Sequence, residues 1–269
     1  MKVFVKACIP PILIKIIRKI RGERYGWKGC YHNWQDAKAV STGYDEDVIL
    51  KKVKTALLKV KKGQAVYERD GVVFEKIQYS WPLTAALLLS AVETGELRVL
   101  DFGGSLGSTY FQNKIILNAI KQVSWSIIEQ KHFVNVGRKE FADDKLHFYY
   151  DYDTCIKEQQ PNILILSSIL QYVEKPYDLL NEILQYNFDY ILIDRTPFRT
   201  KGSNDVIKLQ QVAPSIYSAS YPCWFFNDTR FKEYFKSRNY IIIDEFETVE
   251  GKTDTCHFRG MILRKNENL

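Results

Sequence analysis

Two acids and a cluster of glycines carry the chemistry that is easiest to name in this chain. The segment LRVLDFGGSLGS, residues 97 to 108, ends an apolar run in Asp101 and turns through Gly103, Gly104, Ser105 and Gly107. After a helix-length gap, WSIIEQ, residues 125 to 130, ends a second apolar run in Glu129. A strand, a tight turn, a helix and a second strand fit that spacing. Both acids then stand at carboxyl ends of parallel strands, the edge where open α/β sheets bind ligands. Glycine lets the backbone approach a ligand closely, and a carboxylate ending the second strand can accept from both hydroxyls of a ribose. The turn does not follow G-x-G-x-x-G: counted from Gly103 the third position is Ser105, and counted from Gly104 it is Leu106. A carboxylate beside the turn also suits a cationic ligand with an amino group better than a pyrophosphate.

The pattern D-x-G-x-[small]-x-G resembles motif I of class I S-adenosylmethionine-dependent methyltransferases. The resemblance covers about residues 80 to 269. It implies S-adenosylmethionine as cofactor, with Asp101 near its methionine amino group, Gly103, Gly104, Ser105 and Gly107 lining the turn, and Glu129 holding the ribose. Asp151, ending YYD, is placed by the same resemblance to accept from the adenine amino group, with Asp153 as its competitor. Ser167 and Ser168 end the run NILILSS, and Ser168 is expected to line the pocket. The plainer alternative is a Rossmann-like unit whose glycine turn serves another ligand; Glu129 and the strands that follow favour the methyltransferase reading. More narrowly, W-x-G-C-Y-x-N-W, S-T-G-Y-D, DFGGSLGS and SSILQYVEKPY together resemble uncharacterised methyltransferases of bacterial surface-polysaccharide gene clusters. That implies O-methylation of a small-molecule or glycan acceptor, lipid-linked or free.

The acceptor side is less specified. SSILQYVEKPY puts Gln171 and Tyr172 just past a strand end, where Tyr172 could orient an acceptor hydroxyl. Asp194 and Arg195 end DYILIDR; Arg195 is either a fork for an acceptor carboxylate or phosphate, or an ion-pair partner of Asp194 or Asp244. His257 is the histidine considered as general base, since its ordinary pKa suits proton abstraction. Trp27, Trp34, Tyr79 and Trp81 are candidate stacking faces. Residues 196 to 226 form a long connection and so a candidate lid.

These residues need a frame. From residue 97 strands and helices alternate, which predicts an α/β fold: a Rossmann-like, seven-stranded, mostly parallel sheet with helices on both faces. The last two strands, YIIIDEFE and HFRGMILRK, are joined too briefly for a parallel crossover, so the last strand is antiparallel. Residues 1–80 read as a mainly helical extension, with an aromatic loop over YGWKGCYHNW, helices near 34–40 and 45–62 capped by Tyr44 or Asp45, and a hairpin at Asp70-Gly71; residues 81–269 form the methyltransferase-like domain. Residues 1–22 contain six Lys or Arg and no acid, with Leu13, Ile16, Ile17 and Ile20 on one helical face. A basic amphipathic helix resting on the inner face of a membrane is one reading, and a helix docked on the domain, or a frayed terminus, is the other.

Much of the net charge of +6 is local to that segment, which argues against a nucleic-acid partner. Five scattered cysteines and four histidines show no metal-ligand spacing and no disulfide framework, so a reduced, cytoplasmic protein without a metal is expected. Two rivals remain. A nucleotide-sugar oxidoreductase or epimerase needs a Tyr-x-x-x-Lys pair, and Tyr172 with Lys175 has the wrong spacing. A non-catalytic, membrane-associated protein with a vestigial fold has no need of the intact Asp101, glycine and Glu129 set.

Overall fold

The computed structural model describes residues 25–43, 46–213, 219–253 and 256–266. The expected basic helix over residues 1–22 and the expected cap at Tyr44 or Asp45 lie outside these residues. The chain begins with β1 (Gly26–Tyr31), α1 (Trp34–Ala39), α2 (Glu46–Lys61), the hairpin β2 (Tyr67–Arg69) and β3 (Val72–Phe74), and α3 (Trp81–Thr94). Helix α2 buries Ile49, Leu50, Val53, Ala56 and Leu57, one stripe at helical spacing. Helix α3 opens on Trp81-Pro82 and stops at Gly95, whose φ of 79° is the left-handed conformation that closes helices.

The remaining elements alternate: β4 (Leu97–Phe102), α4 (Ser108–Leu117), β5 (Val123–Ile128), α5 (Lys131–Glu140), β6 (Leu146–Tyr149), α6 (Tyr152–Gln159), β7 (Ile163–Ser167), α7 (Pro176–Ile183) and β8 (Tyr190–Arg199). They are followed by β9 (Val206–Gln211), β10 (Ser220–Phe225), α8 (Asp228–Lys236), β11 (Tyr240–Lys252) and β12 (Cys256–Lys265). Seven strands form one sheet in the order β11-β12-β8-β7-β4-β5-β6. β4 pairs parallel with β5 and β7, β7 with β8, and β5 with β6, whereas β12 is antiparallel to both β8 and β11. The expected seven-stranded, mostly parallel sheet with its last strand reversed is the sheet observed.

Both faces of this sheet are packed, and the strand residues divide by alternation. Val99, Ile163, Ile165 and Leu192 join one apolar cluster with α2 and α3, while Leu100, Leu164, Leu166, Ile191 and Ile193 join another with α7 and α8. The order reverses at β4: the chain runs to β5 and β6 on one side and returns through β7 and β8 on the other. That switch between β4 and β7 opens a crevice at the carboxyl ends of the strands.

Three features differ from the sequence expectation. YGWKGCY, read as a loop, holds β1, which pairs with β9 in a second sheet of order β1-β9-β10. Two glycines in six residues weaken its strand signal, and a partner far along the chain supplies the pairing. Residues 196–226, read as one long connection, instead extend β8 to Arg199 and supply β9 and β10. Helix α6 was not anticipated, because eight mostly polar residues give little periodicity.

Candidate functional site

Asp101 is the fifth residue of β4, directly beside the switch point, and its side chain is 1 % exposed. Trp125 of β5 donates its indole N–H to Asp101 Oδ2 at 3.2 Å. Burial, with the charge of Glu129 adding to it against the relief from that indole, pushes the Asp101 carboxyl up to about 7. The glycine turn begins two residues later. A Cβ on Gly104 would stand 2.6 Å from the Asp101 carboxyl carbon, so only glycine lets the turn lie on this acid. Gly107, at φ 100°, starts α4 in a conformation that side chains rarely adopt.

Glu129 follows β5 and grips the turn. Its Oε1 accepts from the Ser105 backbone N–H at 3.1 Å and its Oε2 from the Gln130 N–H at 2.9 Å. Ser105 itself sits at φ 55°, and its Oγ is buried without a hydrogen-bond partner among the described residues. Asp151 caps α6, its Oδ1 accepting from the Thr154 N–H at 2.8 Å, and that bond lowers its carboxyl below the ordinary range.

Just past β7, and midway along β8 where its pairing with β7 stops, two non-glycine residues stand in the left-handed region, Ser168 at φ 54° and Arg195 at φ 51°. Such conformations cost about 1–3 kcal/mol each and cluster at functional sites. Gln171, fully buried, ties them together: its Nε2 donates to Ser168 Oγ at 3.2 Å and to the Arg195 carbonyl at 3.1 Å. Asp194 is buried, accepts from the Ser167 hydroxyl at 3.2 Å, and is raised by desolvation against the pull of Arg195.

Arg195 pairs with neither Asp194 nor Asp244. Its Nη2 meets Asp70 Oδ2 at 2.8 Å and its Nε meets Glu250 Oε1 at 2.6 Å. Asp70 belongs to the β2–β3 turn, so the expected hairpin reaches across to the middle of β8. Its other anchor is Glu68, 1 % exposed, which accepts from the Ser108 hydroxyl at the start of α4 and from the Gly71 N–H at 2.6 Å. Burial pushes Glu68 up to about 6. The hairpin therefore straps the carboxyl edge from the glycine turn to β8. Sequence reading found its turn and missed its reach, since nothing in YERDG names partners on two other elements.

The two expected catalytic residues stand on different elements, and each is engaged by another side chain. Tyr172 donates its hydroxyl to Gln210 Oε1 of β9 at 2.8 Å, and burial raises its phenol well above the ordinary value. His257 opens β12, opposite Phe198, and is held by Glu247 Oε1 at 3.0 Å. Three strand spacings, about 14 Å, separate its strand from β4. Of the stacking candidates, Trp81 is exposed and packs on Tyr79, Trp34 stacks on Trp224, and Trp27 lies against Phe225 and Phe258.

No family model and no curated protein matches the chain. Solved structures similar to it include the N-terminal domain of EvdMO1, crystallised in the presence of SAH and D-fucose, at 12% identity, covering 83% of this chain and 98% of that one, TM-score 0.48. A 1,6-didemethyltoxoflavin-N1-methyltransferase of Burkholderia thailandensis has 11% identity, coverage of 84% and 92%, and TM-score 0.43. An S-adenosylmethionine-dependent methyltransferase of Clostridium acetobutylicum has 9% identity, coverage of 79% and 98%, and TM-score 0.46. Among the described residues no helix is long and apolar enough to cross a membrane, and no group of three or more His, Cys, Asp or Glu is placed to hold a metal ion.

Proposed function

We propose that this chain is an S-adenosylmethionine-dependent methyltransferase, and more narrowly an O-methyltransferase acting on a sugar in bacterial surface-polysaccharide or glycolipid assembly. The observation that carries the reading is Asp101, a buried acid at the switch point, held by one indole N–H and raised to about 7. Such a site gains most from an arriving cation, and the methionine amino group of the cofactor is one. The neighbouring groups fit the rest of it: the Glu129 carboxylate follows β5 beside the turn, where ribose hydroxyls would lie, the orphaned Ser105 Oγ lies in the turn, and Asp151 follows β6 on the side of the adenine. The sugar acceptor rests on the narrower sequence resemblance.

When bound, the cofactor supplies an electrophilic methyl group on its sulfonium. The protein's work is then to align the acceptor and take its proton. We assign proton acceptance to Asp194, whose raised carboxyl stands midway along β8, level with the end of β7 and beside Ser167, in place of His257 on its more distant strand. Tyr172 serves to orient the acceptor.

Isothermal titration with S-adenosylmethionine and S-adenosylhomocysteine, with NAD and NADP as controls, tests the assignment. Micromolar binding of the first pair alone is expected, and Glu129→Ala should weaken it about tenfold or more as the ribose contacts go. Binding of a nicotinamide cofactor instead would overturn the reading, as would a Glu129→Ala protein with unchanged affinity.

A further inference from the structure

Strand β9 lies between β1 and β10, and the register sets Trp27, Gln210 and Tyr221 side by side in one cross-strand row. Residues in such a row share a face of the sheet. On that face the Trp27 indole N–H donates to Gln210 Oε1 at 3.3 Å, and the Tyr172 hydroxyl donates to the same oxygen at 2.8 Å. Tyr172 also stands edge-on to Tyr221, ring centroids 5.3 Å apart. The opposite face is covered by α1, whose Trp34 stacks on Trp224. The three side chains of the row and Tyr172 remain partly exposed. Gln171, the residue before Tyr172, donates to the Arg195 carbonyl at 3.1 Å, so the row adjoins β8 at Arg195.

We propose that this row is the acceptor subsite, that Gln210 and Trp27 select the acceptor, and that the acceptor is an uncharged, hydroxyl-bearing ring. The proposal rests on the methyltransferase reading for what happens to that ring. Two donors converge on the Gln210 oxygen and fix the amide plane, which leaves its N–H groups to present to oxygen atoms of a ligand. A hydroxyl can answer as acceptor there and still donate elsewhere, and the flanking indole and phenol rings offer apolar faces to ring C–H groups. Charge excludes the alternative. Arg195 is engaged by both Asp70 and Glu250, with Asp194 buried beside it, so the cluster holds no net positive charge for a phosphate or carboxylate. Lys208, on the same face of β9, lies over the Phe225 ring.

The test is an NMR titration of protein loaded with S-adenosylhomocysteine. Its probes are neutral methyl pyranosides of glucose, galactose, rhamnose and N-acetylglucosamine, with glucuronate and glucose 6-phosphate as anionic counterparts. At least one neutral glycoside should bind. Gln210→Leu and Trp27→Leu should each weaken it about tenfold, with S-adenosylhomocysteine affinity held within about twofold. Tyr172→Phe, which removes one donor to Gln210 with little change of shape, should give a smaller loss in the same direction. Tighter binding of the anionic probes, binding indifferent to all three substitutions, or no binding of any neutral glycoside each overturns the subsite. Glycoside binding that depends on Gln210 in a protein that ignores S-adenosylhomocysteine would keep the subsite and remove the methyltransferase reading instead.

Discussion

The carboxyl group of Asp101 is costly to the free protein, and that cost points to its use. Its folded pKa of about 7 lies above the ordinary 3.8, so the folded chain holds a proton that the unfolded chain has released between those values. The sign follows: this group's contribution to stability is present below pH 3.8 and is lost as pH rises through 7, by up to about 4 kcal/mol. Asp101→Asn should therefore melt higher than the parent at pH 8 and by a clearly smaller margin at pH 5, while losing cofactor binding at both; calorimetry beside titration reads the two effects. The parent's affinity for S-adenosylmethionine should fall as pH drops below about 7, because the proton must leave before the amino group can pair. Gly104→Ala acts on the same atoms from the other side. Its new Cβ, 2.6 Å from the Asp101 carboxyl carbon, should displace the acid and cost binding more than stability, which the same pair of measurements separates.

At the scale of elements the hairpin β2–β3 matters most, because it joins the site without belonging to the sheet. Arg195 holds its turn through Asp70 and holds β11 through Glu250. Arg195→Met leaves two carboxylates without their cation and should destabilise the protein by about 1–2 kcal/mol, because the Asp70 side chain is half exposed and only Glu250 is largely sheltered. Arg195→Lys should recover little of it, since one ammonium cannot match the separate Nε and Nη2 contacts; thermal melts of the three proteins check this. None of this network was legible in the sequence beyond the turn itself. Asp101 and Glu129 were legible because each ends a strand that announces itself as an apolar run. Glu68, Asp70 and Glu250 were not, since their roles depend on where three separate elements meet. Helix α2 and the hairpin were readable from local spacing and the Asp70-Gly71 pair. β1 was not, because its partner residue Gln210 lies 183 positions from Trp27.

The whole molecule combines a sheet packed on both faces with a smaller sheet packed chiefly by α1 and a small cluster around Cys223, Phe225, Cys256 and Phe258. The large sheet was readable because each strand and its helix form a repeated unit whose two apolar faces show as unbroken runs of Ile, Leu and Val. The small sheet reads poorly for the opposite reason: its strands are mixed in polarity and brought together from distant parts of the chain. The same contrast sets local stability, since opening a segment costs what its burial contributes. Hydrogen exchange should then be slowest in β4, β7 and β8, whose residues Leu100, Ile165 and Ile193 are fully buried. It should be markedly faster in β1, β9, β10 and the β2–β3 hairpin. Adding S-adenosylhomocysteine should slow exchange in the turn 103–107 and in the hairpin together, because Glu68 ties the hairpin to Ser108 at the end of that turn. Protection of the turn alone would show that the strap is not coupled to the ligand, and Glu68→Ala should produce that uncoupled pattern deliberately.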